Sequence, residues 1–301
     1  MSSWQNLGKT ANHGVEITLN SRNIVSRDFE WSTTFTANWS KEKIKSLPDG
    51  DIIAENLFVG QPIKSLYGYK YAGIWQTTDD ADLMNKYNVQ PGFIKVETNP
   101  ILTPVKDAQG NDMKDSNGNV IMESDNGVHK YGNDDRQVLG HSNPDWILGL
   151  NNTFRYRDFD LSVFIMGRFG QTIDSELLGY YGGDYEPTGT NYISGVDYWT
   201  ENNQGAYFPR PGSAKQQSTV WSSLRIVDGS FAKIKNITLG YTLPSKLTRK
   251  ALIERLRIYG TAYNPLIIVN DRKLKGTDPE QGGAASFPTY KQVVFGVNLT
   301  F

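Results

Sequence analysis

The chain has 301 residues, a net charge of −1 and no cysteine. A near-neutral charge provides no basic surface that would indicate nucleic acid as a partner, and the lack of cysteine suits an oxidising envelope compartment. No run of residues approaches the apolar length of a membrane helix, whereas the 29 glycines and the 16 tyrosines are typical of an all-β protein with aromatic girdles and turn-rich loops.

Seven segments alternate apolar and polar residues with a period of two, which predicts β-strands. In the second segment, for example, Phe29, Trp31 and Phe35 alternate with polar residues. In the fifth, the triplet Lys233-Ile234-Lys235 interrupts the alternation and predicts a β-bulge. The predicted strands cover approximately residues 4–20, 28–40, 145–156, 159–169, 229–241, 254–264 and 290–301.

The last nine residues, 293–301, carry apolar side chains at every odd position, so one face of this strand is apolar. A strand whose outer face meets lipid needs this pattern. The pattern is also similar to the terminal signal by which outer-membrane barrels are recognised for insertion, and it predicts the barrel-assembly machinery as a partner. The residues concerned are Val293, Phe295, Val297, Leu299 and Phe301.

The connections between these segments alternate between short and long. Short connections are predicted around residues 21–27, 157–158 and 242–253, and in the last of these Ser245 is expected to cap a short helix. Because outer-membrane barrels have short periplasmic turns and long extracellular loops, the long connections are predicted to be extracellular. These long loops lie near residues 41–144, 170–228 and 265–289.

Aromatic residues at the predicted strand ends indicate interfacial belts. They are Trp31, Trp39, Trp146, Tyr156, Phe159, Phe169, Tyr241 and Tyr263. Seven strands do not close a bacterial barrel, which uses an even number of at least about eight. We therefore expect additional N-terminal strands, and the lack of a signal peptide at Met1 indicates a piece of a longer precursor.

Several runs of residues, in one consistent order, resemble the SusC/RagA-type TonB-dependent outer-membrane transporters. The resemblance extends over essentially the whole chain but corresponds only to the C-terminal third of such a transporter. The runs are Asn6–Lys9, His13–Leu19, Val59–Ile63, Tyr67–Gln76, Asp134–Gly140, Asn143-Pro144, Asn151–Tyr156, Phe159–Ser162, Gly167–Gly170, Tyr198–Thr200, Phe208–Pro211, Asp228–Phe231, Lys235–Tyr241 and Pro244.

The resemblance implies an antiparallel transmembrane barrel of roughly 22 strands, of which this chain supplies seven or eight without the plug domain. It further implies import of oligosaccharides or peptides together with a SusD-like lipoprotein lid. Energy would come from TonB, ExbB and ExbD through the missing plug. The implied location is the cell outer membrane, where the outer face of the barrel meets lipid.

Two features depart from what the resemblance implies. The acidic loop at residues 107–123 lacks the glycine and glutamate spacing of a calcium loop, so we expect no bound calcium or other cofactor. Pro265 lies where the sixth strand should continue, and fits a strand end or an edge. The histidines His13, His129 and His141 lack the spacing of a metal site.

Aromatic residues in the second long loop are candidates for substrate binding by stacking on sugar rings. They are Tyr180, Tyr181 and Trp199. The neighbouring carboxylates Asp184 and Glu186 resemble a glycosidase pair, but such pairs arise by chance in an acidic loop, so we predict no enzymatic activity. The alternatives are a soluble carbohydrate-binding β-sandwich, whose inner face alternates in the same way, and a glycoside hydrolase.

Overall fold

The computed structural model describes residues 8–182, 196–211, 223–284, 287 and 289–301. In chain order its strands are β1 Lys9–Val25, β2 Phe29–Ser46, β3 Ser65–Tyr69, β4 Tyr71–Ile74, β5 Ile94–Val96, β6 Leu102–Pro104, β7 Met122–Ser124, β8 Arg136–His141, β9 Trp146–Tyr156, β10 Phe159–Phe169, β11 Thr172–Asp174, β12 Ile226–Asp228, β13 Phe231–Thr242, β14 Arg255–Val269 and β15 Gln292–Thr300. Its α-helices are α1 Ala81–Tyr87, α2 Glu176–Gly182 and α3 Ser245–Thr248, and 3-10 helices cover Ile53–Glu55, Asn133–Asp135, Arg249–Ala251, Arg272–Leu274 and Pro279–Gln281. None of the helices in these ranges is both long enough and apolar enough to cross a membrane.

The seven long strands form one antiparallel sheet in the order β1-β2-β9-β10-β13-β14-β15. Each strand pairs with the next long strand of the chain, which is the up-and-down order of a barrel wall. The predicted all-β fold with a seven-stranded antiparallel sheet is therefore confirmed. Among the described residues β1 and β15 are the two edges of this sheet.

The first hairpin is longer than the sequence pattern predicted. β1 continues to Val25 and β2 begins at Phe29, so the turn is limited to residues 26–28 instead of 21–27, and Ser26 donates its backbone N–H to Phe29 O at 2.9 Å. β2 also continues to Ser46, into the range predicted as loop. That range is charged or polar except for Ile44, which is only 2% exposed and whose backbone N–H donates to Gln61 O at 2.9 Å. Backbone pairing and this one buried residue therefore continue the strand where the apolar alternation has stopped.

The predicted bulge in the fifth strand is confirmed. Ile234 and Asn236 pair with consecutive residues of β10, so Lys235 is the extra residue of β13. One extra residue reverses the alternation of faces. The side chains on the apolar face are therefore at even positions before the bulge, as at Ile234, and at odd positions after it, as at Leu239.

Pro265 lies inside β14, opposite this bulge. Asn264, whose φ is 50°, and Pro265 are the two unpaired residues between Tyr263 and Leu266. β15 pairs with β14 only as far as Tyr263, so no neighbouring strand on that side needs a backbone N–H from residue 265. The strand thus passes beyond the predicted end at residue 264, and the proline occupies a bulge at a free edge, as its missing donor requires.

The short helix of the third short connection begins differently from the prediction. Pro244 occupies the N-cap position, and Ser245 is the first helical residue rather than the cap. The helix ends at Thr248 and continues as a 3-10 turn, which Leu252 terminates with a left-handed φ of 58°. The helix begins without a capping side chain, and the carbonyl oxygen of Pro244 accepts the backbone N–H of Leu247 at 2.9 Å.

The chain divides into two compact units. The sheet unit comprises Met1–Leu66, Gly140–Ser175 and Val227–Phe301, and the loop unit comprises Tyr67–Leu139 and Glu176–Ile226. The loop unit is therefore built from the first two long connections together. In its core Trp199 of the second connection packs with Ile74 of the first.

Candidate membrane-spanning wall and its loop anchor

One face of the seven-stranded sheet is apolar and exposed. On β1 the side chains of Val15, Ile17 and Leu19 are each more than half exposed. On β15 the predicted assembly residues Val293, Phe295, Val297 and Leu299 share this face, and the exposed Phe301 follows the strand. A soluble sandwich would bury this face against a second sheet. The assignment of these residues as an insertion signal stays a prediction.

Aromatic side chains form two rows across this apolar face. The first row, next to the short turns, passes from Phe29 of β2 to Tyr156 of β9, Phe159 of β10 and Tyr241 of β13. Within it the ring centres of Phe159 and Tyr241 are 4.6 Å apart. These residues are adjacent on neighbouring strands, so they form a continuous girdle of the kind found at a membrane interface.

The second row lies nearer the long connections. Trp39 of β2, Trp146 of β9 and Phe169 of β10 are paired in register, and the ring centres of the two tryptophans are 6.3 Å apart. On each of these three strands the two rows are ten residues apart, as from residue 29 to residue 39. Ten residues rise about 34 Å along a strand, which a tilt of about 40–45° reduces to about 25 Å. This is the height of the apolar band of an outer-membrane barrel.

The few polar side chains on the apolar face bond to one another. Asn152 Oδ1 accepts hydrogen bonds from Trp31 Nε1 at 3.0 Å and from Thr33 Oγ1 at 2.7 Å. Asn23 Nδ2 in turn donates to Thr33 Oγ1 at 2.7 Å. Hydrocarbon offers no hydrogen-bond partner, so this internal bonding lowers the cost of placing these groups in lipid.

The opposite face carries a network of polar side chains between neighbouring strands. Thr238 and Thr261 are hydrogen-bonded at 2.9 Å, and Arg257 Nε donates to Asp160 Oδ1 at 2.8 Å. At the edge, Asn38 Nδ2 donates to Glu16 Oε1 at 2.8 Å. A polar inner face and an apolar outer face on the same strands are the two surfaces of a water-filled barrel.

A buried group of charges attaches the third long connection to β13. Lys233 Nζ lies 2.6 Å from Asp278 Oδ2 and 2.9 Å from Glu280 Oε2, and Lys235 Nζ lies 2.9 Å from the same oxygen of Glu280. The side chains of Lys233 and Asp278 are fully and almost fully buried, respectively. Two cations and two carboxylates balance, so this loop anchor places no net charge in the wall.

The environment of the loop anchor shifts the pKa values of its carboxyl groups. Burial alone would raise the pKa of Asp278, but hydrogen bonds from Lys233 and Thr289 and the charge of Lys233 lower it below its ordinary value. Burial alone would also raise the pKa of Glu280, but hydrogen bonds from Lys233 and Lys235 outweigh this effect and lower the pKa. Both carboxyl groups are therefore ionised across the physiological range.

The sequence pattern did not reveal this anchor. The two lysines at the bulge were visible as an interruption of the apolar face, but their partners lie 45 and 47 residues further along the chain. Only the fold brings Asp278 and Glu280 to them. The signal available in the sequence was the pair of cations in a strand of barrel type, because such cations need partners.

The structure places the predicted substrate-binding residues in the loop unit. Tyr180 and Tyr181 belong to α2, and their side chains, like Asp184 and Glu186, lie outside the described residues. Trp199 is only 2% exposed, and its Nε1 donates to Gln76 Oε1 at 2.8 Å. A Cβ at Gly92, whose φ is 92°, would lie 2.7 Å from this indole. The ring has no accessible face for stacking here, and the substrate-binding role of all three residues stays a prediction.

In the acidic loop, Asp107 and Asp115 hold two turns of the same construction. Each Oδ1 accepts backbone N–H groups from the second and fourth residues after it, at 2.8–2.9 Å. Hydrogen bonds from the backbone of Asn111 chiefly lower the pKa of Asp107, and those from Asn119 that of Asp115. The carboxylates thus serve as turn-forming groups through their own backbone.

An apolar face with two aromatic rows, a polar inner face and up-and-down connections together define a segment of a transmembrane β-barrel wall. No family model matches the chain. It is 28% identical over its whole length to TonB-dependent receptor P3 of Formosa agariphila, and 24% identical over 99% of its length to TonB-dependent receptor SusC of Bacteroides thetaiotaomicron. It covers 30% and 27% of these proteins, respectively.

Solved structures give the same result for the fold. The structure of the RagAB peptide transporter superposes on the whole chain with a TM-score of 0.73 at 23% identity, and the chain covers 30% of that protein. The open-open state of the RagAB peptide importer gives 0.67 at 22% identity. Over its length the chain is thus similar in sequence to TonB-dependent receptors and in fold to the RagAB transporter. It spans about 30% of the length of the curated relatives that it matches.

Proposed function

We propose that the chain forms part of the wall of an outer-membrane nutrient importer of the SusC/RagA type. The observation that carries this proposal is the spacing of the two aromatic rows, which delimit an apolar band about 25 Å high on one face of a sheet whose other face is polar. The named relatives support the class, since they are TonB-dependent receptors and a peptide transporter. The wall performs no chemistry. It supplies a rigid polar surface beside which substrate passes.

In this proposal the chain is the C-terminal segment of its barrel, and further strands of the same barrel pair with β1 and β15. The loop unit and the third long connection face the outside, and a SusD-like lipoprotein covers that side. TonB, ExbB and ExbD act through a plug supplied by another part of the protein. The substrate is an oligosaccharide or a peptide.

The orientation is tested by epitope insertion in the cell that produces the protein. One epitope is placed in the exposed turn between Gln109 and Gly110, and a matched one in the short turn between Arg157 and Asp158. We expect outer-membrane fractionation, with the first epitope accessible to antibody on intact cells and the second only after the outer membrane is permeabilised. Recovery in the soluble fraction would instead support the carbohydrate-binding sandwich.

Import itself is tested by deleting the gene and measuring growth on defined glycans and peptides as sole nutrients. We expect a growth defect on one nutrient class, restored by the intact gene. Unchanged uptake of every nutrient by the deletion strain would contradict the proposal even if the protein is located in the outer membrane.

A further inference from the structure

The loop unit contains a preformed apolar cavity of about 230 Å³. Helix α1 forms one wall, strand β5 a second, and the segment 127–131 a third. The apolar side chains that line it include Trp75, Leu83, Val89, Ile94 and Val128. Every wall belongs to residues 75–131, so the cavity is formed within the first long connection alone.

Local sequence features fix the walls of this cavity. Asp80 caps α1 by accepting the backbone N–H groups of Asp82 and Leu83 at 2.8 and 3.0 Å. Asn88 ends the helix with a left-handed φ of 55°, which turns the chain so that the N–H of Val89 reaches Met84 O at 3.0 Å. The walls therefore do not depend on a ligand for their position.

The third wall is held by a histidine between two carboxylates. His129 Nδ1 lies 2.6 Å from Asp125 Oδ2, and its Nε2 lies 3.3 Å from the buried Asp135. Gly127, with a φ of 74°, accepts a hydrogen bond from the Thr98 hydroxyl across the base of the segment. These contacts fix the position of Val128 beside the cavity.

One polar group of the cavity lining has no partner. Tyr87 is only 6% exposed, and its hydroxyl is buried without a hydrogen-bond partner among the described residues. Burial and the charge of Asp125 raise the pKa of Tyr87, so this hydroxyl is a neutral donor. A buried hydroxyl without a partner costs free energy. An occupant with a hydrogen-bonding group would remove that cost.

The size and lining of the cavity select the class of occupant. An apolar cavity of about 150 Å³ admits benzene, whereas drug-sized ligands need about 300 Å³ or more, so this cavity accepts one ring with a small substituent. A sugar carries a hydroxyl on almost every carbon and would lose most of its hydrogen bonds among these side chains. An aromatic side chain would not.

Two ammonium groups border the cavity. Lys95 Nζ lies 4.4 Å from the centre of the Trp75 ring and 3.3 Å from Asp79 Oδ1, while the exposed Lys130 makes no ion pair with a described residue. A peptide backbone carries carbonyl oxygens that can accept hydrogen bonds from such groups. The polar groups at the border thus suit the main chain of a peptide whose side chain enters the cavity.

We propose that this cavity is a binding subsite for one aromatic side chain of a peptide, with a phenol ring preferred because its hydroxyl pairs with that of Tyr87. The role of this subsite in recognising an imported peptide rests on the proposed import function. The binding itself rests only on the cavity.

The test uses the purified 301-residue chain in detergent and two water-soluble probes that differ only in the phenol hydroxyl. N-acetyl-tyrosinamide and N-acetyl-phenylalaninamide are titrated separately, and binding is followed by saturation-transfer NMR. We expect the tyrosine probe to bind roughly fivefold more tightly, as one additional hydrogen bond would give. Methyl glucoside, the sugar probe, is expected to bind at least tenfold more weakly than either.

Two variants make the test specific. Tyr87→Phe should reduce the preference for the tyrosine probe to less than about twofold. Val128→Trp should fill the cavity and abolish binding of both probes, whereas the matched control Val120→Trp, at an exposed valine of the same loop unit that does not line the cavity, should leave binding unchanged. If Tyr87→Phe does not fold, the proposal is still tested by the preference of the unchanged chain for the tyrosine probe and by the effect of Val128→Trp.

Equal affinity for the two amino-acid probes, binding that survives Val128→Trp, or stronger binding of methyl glucoside would each overturn the subsite. The assay contains no bilayer and measures no uptake. If the chain binds the probes but does not reach the outer membrane, the proposed subsite therefore stands and only its role in import is refuted. A correctly located importer without probe binding would refute the subsite alone.

Discussion

Lys233 Nζ and Asp278 Oδ2 are 2.6 Å apart, and both side chains are almost completely removed from solvent. This pair joins the bulged strand of the wall to a connection 45 residues further along the chain. A buried pair of this kind contributes little net stability relative to apolar residues, but breaking it by removing one partner leaves a charge without compensation. The position of the third long connection therefore depends on both members.

Replacing Lys233 with Met should release this connection from the wall. Asp278 would remain buried without its cation, at a cost on the order of 3 kcal/mol. Lys235→Met is the matched control, because the Lys235 side chain is 30% exposed and Glu280 retains its ion pair with Lys233. The cost of this substitution should therefore stay below about 1 kcal/mol. Hydrogen exchange of the Glu280 and Gln281 amides measures the difference. Equal protection in the two variants would contradict the anchoring role.

Acid should release the same connection. The pKa values of Asp278 and Glu280 are lower in the folded state than in the unfolded state. Their contribution to stability is therefore complete above their unfolded pKa values of about 4, and it is lost as the pH falls through their lower folded pKa values. We expect constant protection of the Glu280 amide from pH 8 to pH 5 and a loss below about pH 4, after correction for intrinsic exchange. Asp278→Asn should flatten this profile. A transition centred above pH 6 would assign the effect to other groups.

Charge on the two faces of β1 should have opposite consequences. Leu19 lies on the apolar face and Thr18 on the polar face, and both are exposed. Leu19→Arg should cost about 2–4 kcal/mol of membrane insertion if the residue meets the hydrocarbon centre, whereas Thr18→Arg should be tolerated. The folded, membrane-inserted fraction in the outer membrane measures the difference. A larger defect from Thr18→Arg would mean that the faces are assigned the wrong way round.

Gly296 allows Tyr259 of the neighbouring strand to cover it. The two residues pair between β14 and β15, and a Cβ at position 296 would overlap the tyrosine ring. Gly296→Ala should therefore lower the free energy of unfolding by about 1–3 kcal/mol. Gly260→Ala is the milder control, because its Cβ would lie 3.2 Å from Phe295.

The double variant Gly296→Ala/Tyr259→Ala identifies the cause of this loss. If overlap with the ring is responsible, the two changes should be strongly non-additive, and the second should recover stability lost to the first. Denaturant unfolding in detergent measures all of the variants. Additive effects would show that the glycine is required for another reason.

The apolar alternation of Val293 to Leu299 was sufficient to predict both the strand and its exposed face, because the side chains of a strand point to alternate sides whatever lies around it. The bulge at Lys235 was predicted from the same rule, since two cations interrupted an otherwise apolar face. The end of β2 at Ser46 was not predicted, because hydrogen bonding to β1 continues where the apolar pattern has stopped.

The sequence by itself determined the seven strands, their two faces and the relation to SusC-type receptors, because these depend on local periodicity and on runs of neighbouring residues. Only the tertiary structure decided what the residues of the long connections contact: Asp278 meets Lys233 of β13, Trp199 meets Gln76, and the walls of the cavity meet around Tyr87. Those contacts join residues far apart in the chain, and irregular connections have no periodicity from which such pairing can be read.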